Sequence, residues 1–148
     1  MCLIVKDGIK LGKINSEGFH IGWELITKDN LPVFMPMPVN LSYKIGENIS
    51  NRSERCSPND IINGTKFYIF ENMGGRIRID FGYHLCLTRK EARAIRHVGR
   101  PSQDRKTGKV IKVYYKPEDI IATGVWGDDG ITKSVVVDKL TIKSLKGE

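Results

Sequence analysis

The chain has 148 residues and a net charge of +7 at neutral pH, from 24 lysines and arginines against 17 acidic residues. Its length suits a single domain over residues 1–148, and apolar runs of only a few residues exclude a membrane-spanning helix. The start MCLIVKDGIK is not typical of a secretory signal, and three cysteines without a C-x-x-C pair argue against a disulfide framework or a structural zinc site, so we expect a cytoplasmic protein.

Short strands and polar loops are predicted for the N-terminal half. CLIV at 2–5 forms an apolar strand, and period-two alternation over 19–27 predicts a second strand. Its buried face is expected to carry Phe19, Ile21, Trp23, Leu25 and Thr27. Three prolines confine residues 31–38 to an edge or extended segment. The polar, turn-rich residues 46–60 predict a long loop.

A hairpin and one helix are predicted for the middle of the chain. TKFYIF at 65–70 and RIRIDF at 76–81 flank the turn signal MGG and are expected to pair. The T-x-x-E spacing of Thr88 and Glu91 is typical of a reciprocal helix cap, and a helix over 89–97 follows. Its core-facing residues are expected to be Leu87, Glu91, Ala94 and Ile95, and its outer stripe Arg89, Arg93 and Arg96 or Arg100.

The C-terminal part is predicted to be a polar loop followed by strands. The loop covers 99–109, and strands follow at 110–115, 120–126 and 134–142, with a GDDG turn before the last of them. The predicted fold class is therefore α+β. It is a mainly antiparallel β-sheet, partly barrel-like or sandwiched, with one principal helix near residues 89–97.

The positive charge is concentrated in one segment. Residues 89–112 hold nine lysines and arginines and two acids, which is the whole excess of the chain. Such a field attracts nucleic acid, nucleotides or an acidic protein face. The expected binding residues are Arg89, Arg93, Arg96, Arg100, Arg105, Lys106 and Lys109. The alternative is a solvated helix face followed by a lysine-rich loop. Aromatic stacking partners are missing from the segment, although Tyr83, Tyr114 and Tyr115 flank it.

His84 and Cys86 are weak candidates for catalysis. Because they lie two residues apart on a predicted strand, they share one face and would be able to form a nucleophile pair. The alternative is a structural histidine beside a cysteine that fills the core, and no orienting acid or oxyanion loop lies near them in sequence.

Other features do not point to chemistry. His20, His84 and His97 have no metal-binding spacing, the paired acids lie in turns, and no glycine-rich phosphate loop precedes a helix. We expect no metal and no cofactor. Cys2 is expected to start the first strand and not to act as a nucleophile.

The C-terminal half carries a pattern that resembles a known protein group. The matching residues are Gly82, Tyr83, His84, Cys86, Thr88, Glu91 and Ala92, then Val113, Pro117, Glu118, Asp119, Ile120 and Ile121. The pattern is similar to that of small, largely uncharacterised phage and prophage proteins, and the start MCLIV with the later GWELI resembles them loosely. The resemblance implies a phage or mobile-element origin and the cytoplasm of a host cell. It implies no reaction, and the basic insertion at 99–109 departs from it.

Three functions remain open from the sequence. The leading hypothesis is a non-enzymatic accessory protein that binds an anionic partner through residues 89–112, with inhibition of a host defence system as its context. The second is an enzyme acting on a nucleotide or nucleic acid, with His84 as acid or base. The third is a structural or oligomerising module that makes contact through residues 31–38, including Met35 and Met37.

Overall fold

The fold is built mainly of short strands. The computed structural model describes residues 3–33, 42–50, 61–62, 65–66, 69–71, 77–79, 82–97, 106–127 and 130–147. The strands in these ranges are β1 (Leu3–Val5), β2 (His20–Ile26), β3 (Gly46–Ile49), β4 (Ile61–Ile62), β5 (Thr65–Lys66), β6 (Ile69–Glu71), β7 (Ile77–Ile79), β8 (Tyr83–Cys86), β9 (Lys109–Tyr115), β10 (Ile120–Trp126), β11 (Lys133–Val137) and β12 (Lys139–Ile142). Helix α1 (Arg89–Ala94) continues as a 3₁₀ turn over Ile95–His97, and a second 3₁₀ turn covers Pro117–Asp119.

Ten of these strands form one antiparallel sheet. Their spatial order is β3-β12-β9-β2-β8-β11-β10-β1-β7-β6, and β4 pairs with β5 separately. The order is linear, so the sheet is not closed into a barrel. The predicted α+β class, with a mainly antiparallel sheet and one helix, is confirmed. The sequence did not show that the last strand, β12, lies between β3 and β9.

The main core lies on one face of the sheet. It contains Ile26, Tyr43, Tyr83, Leu85, Ile111, Val113, Tyr115, Val135, Val137, Leu140 and Ile142. A smaller core beneath α1 on the other face contains Leu25, Cys86, Ala92, Ile95, Val110 and Trp126. Because α1 is only six residues long, it covers only part of that second face.

Strand β2 corrects the predicted buried face. His20, Gly22, Glu24 and Ile26 point towards the main core and are buried, whereas Ile21 on the predicted inner face is 37% exposed. At the Leu25 end both faces of β2 meet protein, because Ile26 packs in the main core and Leu25 packs in the small core beneath α1. The aromatic residues at its other end lie where α1 no longer covers the sheet.

Helix α1 shows the Thr88 half of the predicted reciprocal cap, and its buried residues agree with the prediction at Ile95 but not at Ala94. The Thr88 hydroxyl accepts a hydrogen bond from the Glu91 amide at 3.1 Å. Ala92 and Ile95 are buried, whereas Ala94, which was predicted to face the core, is exposed. The helix is short and turns into a 3₁₀ segment after Ala94, which changes the angle at which Ile95 leaves the backbone.

Several predicted boundaries shift. The loop predicted at 46–60 begins with strand β3, and 51–60 lie outside the described residues. The strand predicted at 134–142 is two strands, separated at Asp138, whose amide donates to the Asp119 carbonyl at 3.1 Å. β11 pairs with β8 and β10, whereas β12 pairs with β3 and β9.

The predicted hairpin is present in its central part. β6 and β7 are antiparallel partners, with Phe70 opposite Arg78, whereas residues 65–66 pair with β4. Pro32 forms a single bridge with Ile26, and the remaining prolines and methionines of 31–38 lie outside the described residues. So does residue 2.

Candidate anion-binding surface

Three of the predicted binding residues are exposed. Arg89 and Arg93 project from α1 into solvent, and Lys106 lies on a helical turn that precedes β9. Arg100 and Arg105 lie outside the described residues. Because Arg89 and Arg93 are exposed, they are accessible to an anion.

Two other predicted binding residues make structural contacts. The Nη2 atom of Arg96 donates to the Gly108 carbonyl at 2.6 Å, and the side chain is half-buried. Lys109 was predicted to lie in a loop but is the first residue of β9, paired with Ile26 at the end of β2. Arg96 therefore ties the end of the helix to the start of β9, and the segment is partly built into the fold.

An aromatic residue that the sequence analysis did not assign to this site lies beside the cations. The Arg89 guanidinium carbon is 5.9 Å from the centroid of the Trp23 ring, and the Lys112 ammonium is 5.4 Å from it. The β2–β9 register places Trp23 directly opposite Lys112. The alternation of 19–27 was the available signal, but it was assigned to the core.

Further aromatic residues and lysines continue along the same sheet face. The Lys116 ammonium lies 5.6 Å from the Phe19 ring, and the Lys143 ammonium lies 4.4 Å from the Tyr114 ring. Phe19 and Tyr114 meet edge to face with their centroids 6.3 Å apart. We call this region the open sheet face; it consists of Phe19, Ile21, Trp23, Lys112, Tyr114, Lys116, Thr141 and Lys143.

Acidic residues lie at the margin of the open sheet face. Glu17 accepts from Lys143 at 3.4 Å, and Glu47 pairs with Lys139 at 3.1 Å. These exposed pairs are screened by water and contribute little to stability. They reduce the positive field at the β12 side, so the strongest field lies towards Lys112 and α1.

His84 and Cys86 lie inside the protein. They share a face of β8, as predicted, and are 3% and 1% exposed. Cys86 packs in the small core under α1, and His84 lies opposite Val136 of β11. A nucleophile must reach its substrate, so this placement favours the structural interpretation.

A buried acid that the sequence analysis overlooked lies in the main core. Glu24 is 3% exposed, and the Tyr43 hydroxyl donates to its Oε2 atom at 2.5 Å. Burial raises the pKa of Glu24 to about 8, although the hydrogen bond from Tyr43 acts in the opposite direction. Burial first, and then the Glu24 charge, raise the pKa of Tyr43 and of Tyr83. This group is enclosed by the core, and its glutamate is uncharged at neutral pH.

The histidines do not gather around a common point. His20 bonds to the Gly12 carbonyl through Nδ1 at 2.8 Å and stacks on Tyr115, whereas His97 is exposed at the end of the 3₁₀ turn after α1. In the part of the chain that the structure describes, no three histidine, cysteine or acidic side chains are grouped to hold a metal ion. Within the same ranges, no helix has the length and apolar character needed to cross a membrane.

Comparison with known proteins adds no relative. No protein-family model, no curated protein and no solved structure matches the chain.

Proposed function

We propose that the protein is a non-enzymatic accessory protein that binds an anionic partner through residues 89–112. The partner is a nucleic acid, a nucleotide or an acidic protein face. A phage or mobile-element origin, the host cytoplasm as its compartment and the inhibition of a host defence system belong to the same proposal. These three points are supported only by the resemblance of the pattern around His84 and Pro117 to phage proteins.

The distribution of charge carries the binding proposal. The whole excess of +7 lies within 89–112, and Arg89, Arg93 and Lys106 of that segment are exposed. Arginine binds phosphate through two parallel hydrogen bonds, and a concentrated field speeds the approach of an anion. Arg96 and Lys109 hold the segment against the fold, which places the exposed cations on a fixed support.

Charge reversal tests this proposal. The variant combines Arg89→Glu with Arg93→Glu and leaves the half-buried Arg96 in place. Fluorescence anisotropy with short labelled single- and double-stranded DNA and RNA, at two salt concentrations, measures binding. We expect affinity at low salt to fall about tenfold or more. The salt dependence should weaken by about one unit of logarithmic slope for each phosphate that the variant no longer neutralises.

The matched control is Lys6→Glu combined with Lys10→Glu. Both lysines are exposed: Lys6 directly follows β1, far from β9 in the order of the sheet, and Lys10 adjoins Leu11, which packs against the main core and not beneath α1. The control changes net charge by the same amount, so it should retain most of the affinity. Equal losses in the two double variants would show a non-specific effect of net charge, and unchanged binding in the arginine variant would overturn the proposal.

A further inference from the structure

The open sheet face has a repeated arrangement of rings and cations. Trp23, Phe19 and Tyr114 each have an ammonium or guanidinium group within 6 Å of the ring centroid. Trp23 lies opposite Lys112 and Tyr114 lies opposite Ile21, so the two rings are diagonal neighbours on adjacent strands. Diagonal neighbours of this kind are about 7–8 Å apart. The rings therefore form a row across β2 and β9 and not a closed cluster.

The face is accessible because α1 stops beside it. Ile21 is 37% exposed, and Trp23, Tyr114 and Phe19 are partly exposed. Leu25 and Val110, the next residues on the same face, are covered by α1 and fully buried. The helix thus defines one edge of the surface and contributes Arg89 to it.

The chemistry favours a nucleic acid over a protein partner. Lysine is depleted in protein–protein interfaces, whereas alternating aromatic and cationic side chains suit bases and phosphates. A single strand exposes its base faces for stacking, and a duplex does not. The six-residue helix, which is packed against the sheet through Ala92 and Ile95, offers little length for a major groove.

We propose that the open sheet face binds single-stranded nucleic acid, with bases stacked on Trp23 and Tyr114 and phosphates held by Lys112, Lys116 and Arg89. The cations that now cover the rings move aside to the phosphates as the bases arrive. This inference rests on the proposed function for the negative charge of the partner. It differs from the proposed function in two ways. The binding surface is the open sheet face, and the partner must carry bases.

The experiment compares two polyanions. A short labelled single strand of mixed sequence, as DNA and as RNA, carries bases, and inorganic polyphosphate carries charge alone. We expect the single strand to bind more tightly than its own duplex and to quench tryptophan fluorescence, while polyphosphate leaves that fluorescence unchanged. The quenching reports on Trp23, because Trp126, the second of the two tryptophans, is 1% exposed.

Two separate substitutions remove the stacking rings. Trp23→Leu and Tyr114→Leu should each lower single-strand affinity about 5- to 100-fold and leave polyphosphate affinity unchanged, since the loss of one stacked base has that effect. Trp23 also packs against the small core, so thermal unfolding of each variant is measured. Tyr114→Leu keeps the test valid if Trp23→Leu does not fold. Lys116→Glu should weaken the binding of both polyanions.

The outcomes separate this inference from the proposed function. If both ring variants bind the single strand as the wild type does, while reversal of Arg89 and Arg93 lowers binding, the sheet-face inference is overturned and the proposed function stands. Tighter binding of duplex than of single strand would overturn it as well. If neither polyanion binds at low salt, the sheet-face inference is overturned, and the proposed function keeps only a nucleotide or an acidic protein face as its partner.

Discussion

Glu24 shows how one buried residue sets a pH dependence. Its carboxyl group has an ordinary pKa of 4.5, and burial raises the pKa to about 8 in the folded protein. The unfolded chain therefore loses its proton first as pH rises. The contribution of Glu24 to stability is fully present below pH 4.5, is lost between 4.5 and 8, and is constant above 8.

Replacement of Glu24 by glutamine removes this titration. The amide keeps the shape and can accept the hydrogen bond from Tyr43. We expect the difference in unfolding free energy between Glu24→Gln and the wild type to rise in favour of the variant across pH 4.5–8. Its greatest slope should be about 1.4 kcal/mol per pH unit. Urea unfolding of both proteins at a series of pH values measures this difference.

Tyr43→Phe is the companion variant. The Tyr43 hydrogen bond lowers the pKa of Glu24, so its loss should move the end of the titration to higher pH. A difference between Glu24→Gln and the wild type that is constant across pH 4.5–8 would show that Glu24 is not buried as described.

At the scale of the element, α1 depends on its cap and on two buried side chains. A helix of six residues is not stable alone, and here Thr88 caps the Glu91 amide while Ala92 and Ile95 hold the helix to the sheet. Thr88→Ala leaves that amide without its partner. We expect a loss of about 1 kcal/mol in unfolding free energy, measured by urea denaturation.

Thr88→Ser is the control for the cap. Serine keeps the accepting oxygen, so this variant should stay close to the wild type. If the Thr88→Ala and Thr88→Ser variants are equally stable, the hydroxyl does not contribute to stability and the start of α1 depends on packing alone. Because Arg89 follows the cap directly, the same variants report whether an ordered helix start is needed for anion binding.

At the scale of the whole molecule, β12 joins the edge strand β3 to the rest of the sheet. β12 lies between β3 and β9, and Leu140 on its inner face is 1% exposed. Leu140 shares the main core with residues of β2, β8, β9 and β11, so its packing stabilises contacts across the sheet. Leu140→Ala should lower the unfolding free energy by about 2–5 kcal/mol.

Thr141→Ala is the matched neighbour. Thr141 lies on the opposite face, across from Tyr114, and is not part of the core. We expect its effect on unfolding free energy to stay within about 0.5 kcal/mol. Thermal or urea unfolding of both variants compares the two faces of one strand. Similar losses in both would contradict the assignment of the main core to the Leu140 side.

The features that depend on residues close along the chain were predicted from the sequence. Alternation located β2 to within about one residue at each end, because side chains in a strand alternate between faces. The T-x-x-E spacing located the start of α1 at Thr88, because the hydroxyl and the amide that it caps are three residues apart. The charge excess of 89–112 could also be predicted from the sequence, because the net charge of a segment does not depend on tertiary contacts.

Face assignment in β2 failed because the more apolar face is the one that α1 leaves partly open. Phe19, Ile21 and Trp23 look like core, but α1 covers only Leu25 of that series. Glu24 looks exposed, but Tyr43 arrives from another element to bond its carboxyl group. Which face of β2 is buried depends on where a neighbouring element ends, and the sequence of β2 does not contain that information.

By itself, the sequence determined most of the longer strands, the start of the capped helix and the place of the positive charge, because each depends on residues that are close along the chain. Only the tertiary structure decided that Lys112 lies opposite Trp23, that Arg89 lies over the same ring, and that Arg96 is tied to Gly108. These contacts follow from the register between β2 and β9 and from the position at which α1 ends. Both are set by the packing of elements that are distant in sequence.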